Sequence, residues 1–119
     1  MGAIHLKIQL FIKMEKILTE SGIVILKNLN DKYEKESIDD LEYIPIIKTI
    51  INSFIEYATS NELSPESITK LHKELTTYAE NLYLNSWMKN AAEEGNEKDV
   101  KFEGMEYFKY IYKHEEYPD

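Results

Sequence analysis

Apolar positions recur along most of this chain at spacings of three and four, the repeat of an amphipathic helix. The pattern is clearest after Pro45, where Ile47, Ile50, Ile51, Phe54, Ile55 and Ala58 form one stripe. Proline suits a first helical turn, so this stripe predicts a helix from Pro45 that ends among Thr59, Ser60 and Asn61. Ser64-Pro65-Glu66 then opens a second helix, with a hydroxyl N-cap, a first-turn proline and a carboxylate at the positive end of the dipole. Ile68, Leu71, Leu75, Tyr78, Ala79 and Leu82 mark its face, and Glu66 and Lys70 stand in the favourable i,i+4 order. Leu84, Trp87, Met88 and Ala91 continue the apolar surface but rotate it. Nothing stops this helix before Gly95. It is expected over about residues 65–94, roughly 45 Å long, as the spine of the fold.

The two ends are less decided. Ile4, Leu6, Ile8, Leu10 and Ile12 alternate as in a strand, yet Ile4, Ile8, Phe11 and Ile12 also share a helical face. With no second convincing strand, the reading favoured is a helix running on into the stripe of Met14, Ile17, Leu18, Ser21, Ile25, Asn28, Leu29 and Tyr33. Gly22 weakens that helix by about 1 kcal/mol relative to alanine. Met14 offers a second start, which would make residues 1–13 a dispensable extension. Residues 35–44 read as a polar connection, in which Ser37-Ile38-Asp39-Asp40 has the form of a capping box and suits a short helical turn. Asp99 is placed to cap a last helix with Phe102, Met105, Phe108 and Tyr112 as its stripe. Gly104 and the run of Tyr107, Tyr110 and Tyr112 keep a hairpin open for residues 100–117. Short links between long amphipathic helices predict a single all-α domain, an antiparallel four-helix bundle, with residues 95–119 as an acidic, tyrosine-rich segment.

Composition narrows the chemistry. Among 119 residues there is no cysteine, and every one of the 14 basic residues is lysine. Disulfides, thiol nucleophiles and cysteine-held zinc are excluded, and the bidentate recognition that arginine supplies is missing. His5, His72 and His114 lie too far apart to pair within a helical turn, so no metal site is expected, and no cofactor motif is present. His72 reads as a boundary residue half-packed against the core. Glycines are four and unclustered, which leaves no phosphate loop, and there is no G-x-S-x-G elbow. Adjacent carboxylates such as Asp39-Asp40, Glu93-Glu94 and Glu115-Glu116 diverge on a helix and read as solvated. A non-catalytic protein is expected. No apolar run reaches the ~20 residues of a membrane span, and residues 1–11 make a poor signal peptide, so a cytoplasmic protein is expected.

Charge then supplies the one positive indication. Twenty-two acids against 14 lysines leave a net −8, which disfavours direct nucleic-acid binding. The imbalance is local: residues 1–36 carry +1, residues 37–92 carry −4 and residues 93–119 carry −5. Tyrosines gather in that last quarter. Aromatics among acids suit the recognition of a basic protein surface, which makes Tyr107, Tyr110, Tyr112, Glu103, Glu106 and Trp87 the candidate partner-binding residues. Leu84, Trp87, Met88 and Ala91 also offer a homodimer surface, if the bundle leaves them uncovered. An alternative is an inhibitor from a phage or mobile element that blocks a basic, nucleic-acid-binding surface of a defence enzyme, as anti-CRISPR and anti-restriction proteins do.

Pro45-Ile46-Ile47, Ile50-Ile51, Tyr57, Asn61 and the long helix from Ser64 to Leu82 together carry a family resemblance. Residues 45–85 resemble the helical-bundle immunity proteins that protect producers of pediocin-like bacteriocins, such as those for enterocin A. The resemblance covers about a third of the chain and lies in hydrophobic pattern and turn chemistry. It implies a cytoplasmic four-helix bundle whose C-terminal part sets specificity and which acts with a membrane sugar-transport receptor. The reading it supports is a small immunity or antitoxin-like binder.

Overall fold

The computed structural model describes the backbone of residues 2–36, 38–91 and 97–113, and the side chains of residues 9–35, 38–89 and 101–113. Those residues form four helices, α1 (Gly2–Glu36), α2 (Asp40–Ser60), α3 (Pro65–Ala91) and α4 (Glu97–Lys113), in an all-α bundle of 62 × 29 × 25 Å. The favoured helical reading of the N-terminal end holds, residues 2–36 running as one helix, and the alternatives left open at the other end resolve as helix over residues 97–113. The side chains of Ile4, His5, Leu6, Ile8 and Ala91 lie outside the described residues, as do Glu93, Glu94, Gly95, His114, Glu115, Glu116 and Tyr117.

Local chemistry sets the helix ends. Asp39 is the N-cap of α2, its carboxylate accepting from the Leu41 N–H at 3.0 Å. The helix therefore starts five residues before the expected Pro45, which sits in the second turn and gives up the bond to the Leu41 carbonyl. At the other end Glu62 takes a positive φ of 62°. Its N–H bonds the Thr59 carbonyl, and the Leu63 N–H reaches back to Ala58 at 3.1 Å. This is a Schellman closure, with buried Leu63 folded over buried Ala58. Ser64 caps α3 through the Ser67 N–H at 3.1 Å, as its sequence predicts. Lys70 reaches Glu15 at 3.6 Å and Glu74 at 4.0 Å, where Glu66 was the expected partner.

α2 and α3 form the central pair, with α1 laid against both on one side and α4 against both on the other. α3 touches every other helix, as a spine should, but α1 is the longest element at 35 residues. Directions alternate along the chain. Ser67 meets Glu15 and Ser86 meets Glu34, so α1 and α3 run parallel, while the Tyr33–Tyr43 stack marks the turn into antiparallel α2. The core is Leu18 and Leu26 of α1, Ile44, Ile47 and Ile51 of α2, Leu71, Leu75 and Tyr83 of α3, and Phe108 and Ile111 of α4.

Two helix faces are rotated from their expected settings. On α1 the inward line is Leu18, Gly22, Leu26 and Asn30, whereas Ile17 and Ile25 are 59% and 43% exposed. Gly22 decides this, because Leu75 of α3 occupies the space where a side chain would stand. On α4 Gly104 packs in the same way against Trp87, and Phe102 turns out to solvent at 64% exposure. His72 is exposed, not half-packed. Leu84 is buried and Trp87 is half-buried beneath α4, so α4 covers much of the surface considered for a homodimer.

Candidate partner-binding surface

Where α1 ends and α2 begins, four helices bring polar and aromatic side chains together. Tyr33, near the end of α1, stacks on Tyr43 of α2 with ring centres 4.2 Å apart and planes 8° from parallel. Tyr83 of α3 lies 6.2 Å from both rings and touches Phe108 of α4 at 5.5 Å. Trp87 and Tyr107 extend the series, with centres 6.0 Å apart. Aromatic edges and faces at these separations attract beyond their area burial.

Most buried polar groups of this cluster have a partner from another helix; the buried Trp87 indole N–H has none among the described residues. The Tyr43 hydroxyl donates to the Asn30 side-chain carbonyl at 2.7 Å, and the Ser86 hydroxyl donates to Glu34 at 2.6 Å. Asp40 accepts from the Tyr33 hydroxyl on one oxygen and from the Tyr83 hydroxyl at 3.4 Å on the other. Lys89 approaches Glu34 at 3.9 Å, an exposed pair of small energetic weight. Asp40 is therefore an engaged acceptor at the junction of α1, α2 and α3, not the solvated terminus its sequence context suggests.

Burial is the largest cause that raises the phenol pKa values of Tyr33, Tyr43 and Tyr83, and Asp40 beside them raises all three further. Tyr107 is shifted upward too, by burial and then by Asp40 and Asp39. These hydroxyls remain donors at neutral pH. A phenol held as a donor to a carboxylate acts as a strut between helices and is a weak candidate for proton transfer.

A shallow cleft opens over this network, lined by Tyr33, Glu34, Asp39, Asp40, Ser86 and Lys89. Tyr107 does not line it but is near enough to Asp40 and Asp39 that both raise its pKa. On the outer side of α4, Glu103, Glu106 and Tyr110 follow one another at i, i+3 and i+7, all exposed. Four of the residues singled out from sequence thus share one end of the molecule. The other two are structural: Tyr112 is half-buried, stacks on Phe108 at 5.6 Å and lies under Lys48, while Trp87 packs against Gly104 and Tyr83.

Glu34, Asp39 and Asp40 were not singled out as binding residues. Their pairing with Tyr33 and Tyr83 spans up to 43 positions, and no local pattern encodes it. Asn30 gave no signal either, because only the structure puts it on the buried line of α1, four residues after Leu26.

The fold and this surface define an all-α bundle with an acidic, aromatic end. No family model, curated protein or solved structure matches the chain. Among the described residues no group of acids and histidines is arranged to hold a metal ion, and no helix is long and apolar enough to cross a membrane.

Proposed function

We propose that this chain works without catalysis, by binding a protein with a basic surface, as a small immunity or antitoxin-like binder does in the cytoplasm. The observation that carries the reading is the gathering of Glu34, Asp39, Asp40, Glu103 and Glu106 with Tyr107 and Tyr110 at one end of the bundle. Carboxylates steer a basic partner and set its orientation, and tyrosines supply contact area at low entropic cost. The polar core beneath is cross-bonded between helices, which keeps the surface in one shape before binding.

A second reading takes the partner's basic surface to be a nucleic-acid site on a defence enzyme. The spread of acids over α4 and the start of α2 favours it, because that spacing matches a patch better than a single cationic side chain.

The test is affinity capture with the whole chain against the variant Glu103→Gln, Glu106→Gln, Tyr110→Ala. All three positions are exposed, so the variant keeps its helix content. A basic partner retained by the parent, released by salt and lost by the variant is the expected result. Equal capture by both proteins, or capture insensitive to salt, refutes the reading. Where the partner is a nuclease, inhibition that DNA relieves selects the second reading, and inhibition indifferent to DNA selects the first.

A further inference from the structure

Leu10, Ile17 and Val24 stand seven residues apart along α1 and are 62%, 59% and 57% exposed. Their line runs beside the outer flank of α2, where Ile17 shares a shallow groove with Phe54 and Tyr57. On the opposite side the line is bordered by Lys13 and Glu20, again seven apart and both exposed. One edge of the seam is therefore apolar and the other is charged. A seven-residue repeat is the spacing by which one helix packs lengthwise along another.

We propose that this seam is a homodimer interface in which α1 packs antiparallel on α1 of a second copy, about a two-fold axis at Ile17. The choice of occupant follows from the two unlike edges. An antiparallel two-fold pair brings like edges together, charged on charged and apolar on apolar. A parallel pair sets unlike edges together and presses Lys13 and Glu20 onto the apolar flank of α2. Centring on Ile17 places Leu10 against Val24 of the second copy. The same register brings Lys13 to Glu20 of the second copy, twice over by symmetry. Among the described residues Glu20 is paired with Lys16 at 4.0 Å, with side chains 76% and 65% exposed for Lys16 and Glu20, so it can turn to the new partner. This surface is separate from the acidic end and does not depend on the function proposed there.

Sedimentation of the full chain over a concentration series tests the proposal. The parent is expected to form a dimer, and Ile17→Glu or Val24→Glu to leave a monomer of unchanged helicity, since neither side chain belongs to the core. Lys13→Glu and Glu20→Lys should each weaken the dimer about tenfold, by turning two attractions into repulsions, and together should restore it. A strict monomer at the highest attainable concentration overturns the proposal. So does a dimer indifferent to Ile17→Glu, or a double charge exchange no better than either single one.

Discussion

Gly22 of α1 lies so close to Leu75 of α3 that a β-carbon on the glycine would stand 2.6 Å from Leu75 Cδ2 and 3.0 Å from Cδ1. Leu75 is fully buried, so its methyls would have to shift within a packed core. Two effects therefore compete in Gly22→Ala. Helix propensity favours alanine by about 1 kcal/mol, while overpacking a filled core costs about 1–3 kcal/mol. The overlap involves both methyls, so the second effect should win by about 1 kcal/mol. Urea unfolding checks the sign, and a stabilised variant would mean that α1 and α3 can part without loss.

The turn between α2 and α3 offers the opposite case. Glu62 occupies the left-handed region at φ 62°, where a β-carbon costs roughly 1–2 kcal/mol and glycine costs nothing steric. Its exposed side chain donates nothing to the Schellman closure, which uses backbone groups alone. Glu62→Gly should therefore raise stability by about 1 kcal/mol and the thermal midpoint by about 4 °C. Glu62→Ala, which keeps the β-carbon, should not. Equal midpoints for the two variants would locate the strain elsewhere.

Asp40 binds the ends of three helices through two tyrosine hydroxyls. Asp40→Ala leaves both without their acceptor, and the Tyr83 side chain is fully buried. A buried donor left unmade costs about 1–3 kcal/mol, well above the loss expected at exposed Asp31. Paired unfolding curves for Asp40→Ala and Asp31→Ala make the comparison. Similar losses would show that water replaces the carboxylate.

Alkaline pH should unfold the bundle through its buried tyrosines. Tyr43 and Tyr83 are 1% and 0% exposed, and burial raises their pKa values above the ordinary 10.0. Their raised folded-state values give a stability that is fully present below pH 10 and lost as pH climbs toward those values. Each such group lowers stability by about 1.4 kcal/mol per pH unit above the unfolded value. Tyrosinate absorbance and helical circular dichroism should therefore change together above pH 10, and Tyr83→Phe should make the loss less steep. Tyrosinate formed in an intact helix would contradict this account.

The tyrosine-rich end shows how far a candidate site can be seen in a sequence. Tyr107, Tyr110, Glu103 and Glu106 were visible because one helix, and one run of composition, holds them all. Tyr112 belonged to the same run but faces inward, where it stacks on Phe108. The acidic cleft beside Tyr107 was not visible, since its parts come from the end of α1, the start of α2 and the far half of α3.

Helix existence and some helix ends were decided by the sequence itself, because they depend on neighbours within a turn or two. Ser64 before Pro65 and the three-and-four repeat of Ile47, Ile51 and Ala58 are complete instructions at that range, whereas α2, capped by Asp39, starts five residues ahead of the Pro45 its stripe pointed to. The inward face of α1 was not decided there. That helix is apolar over much of its circumference, with Leu18 and Leu26 on one side and Leu10, Ile17 and Val24 on another. Periodicity alone ranks those sides nearly equal. Only tertiary packing chose between them, because the gap at Gly22 admits Leu75 and draws the Leu18–Leu26 line into the core, which leaves the other line facing solvent.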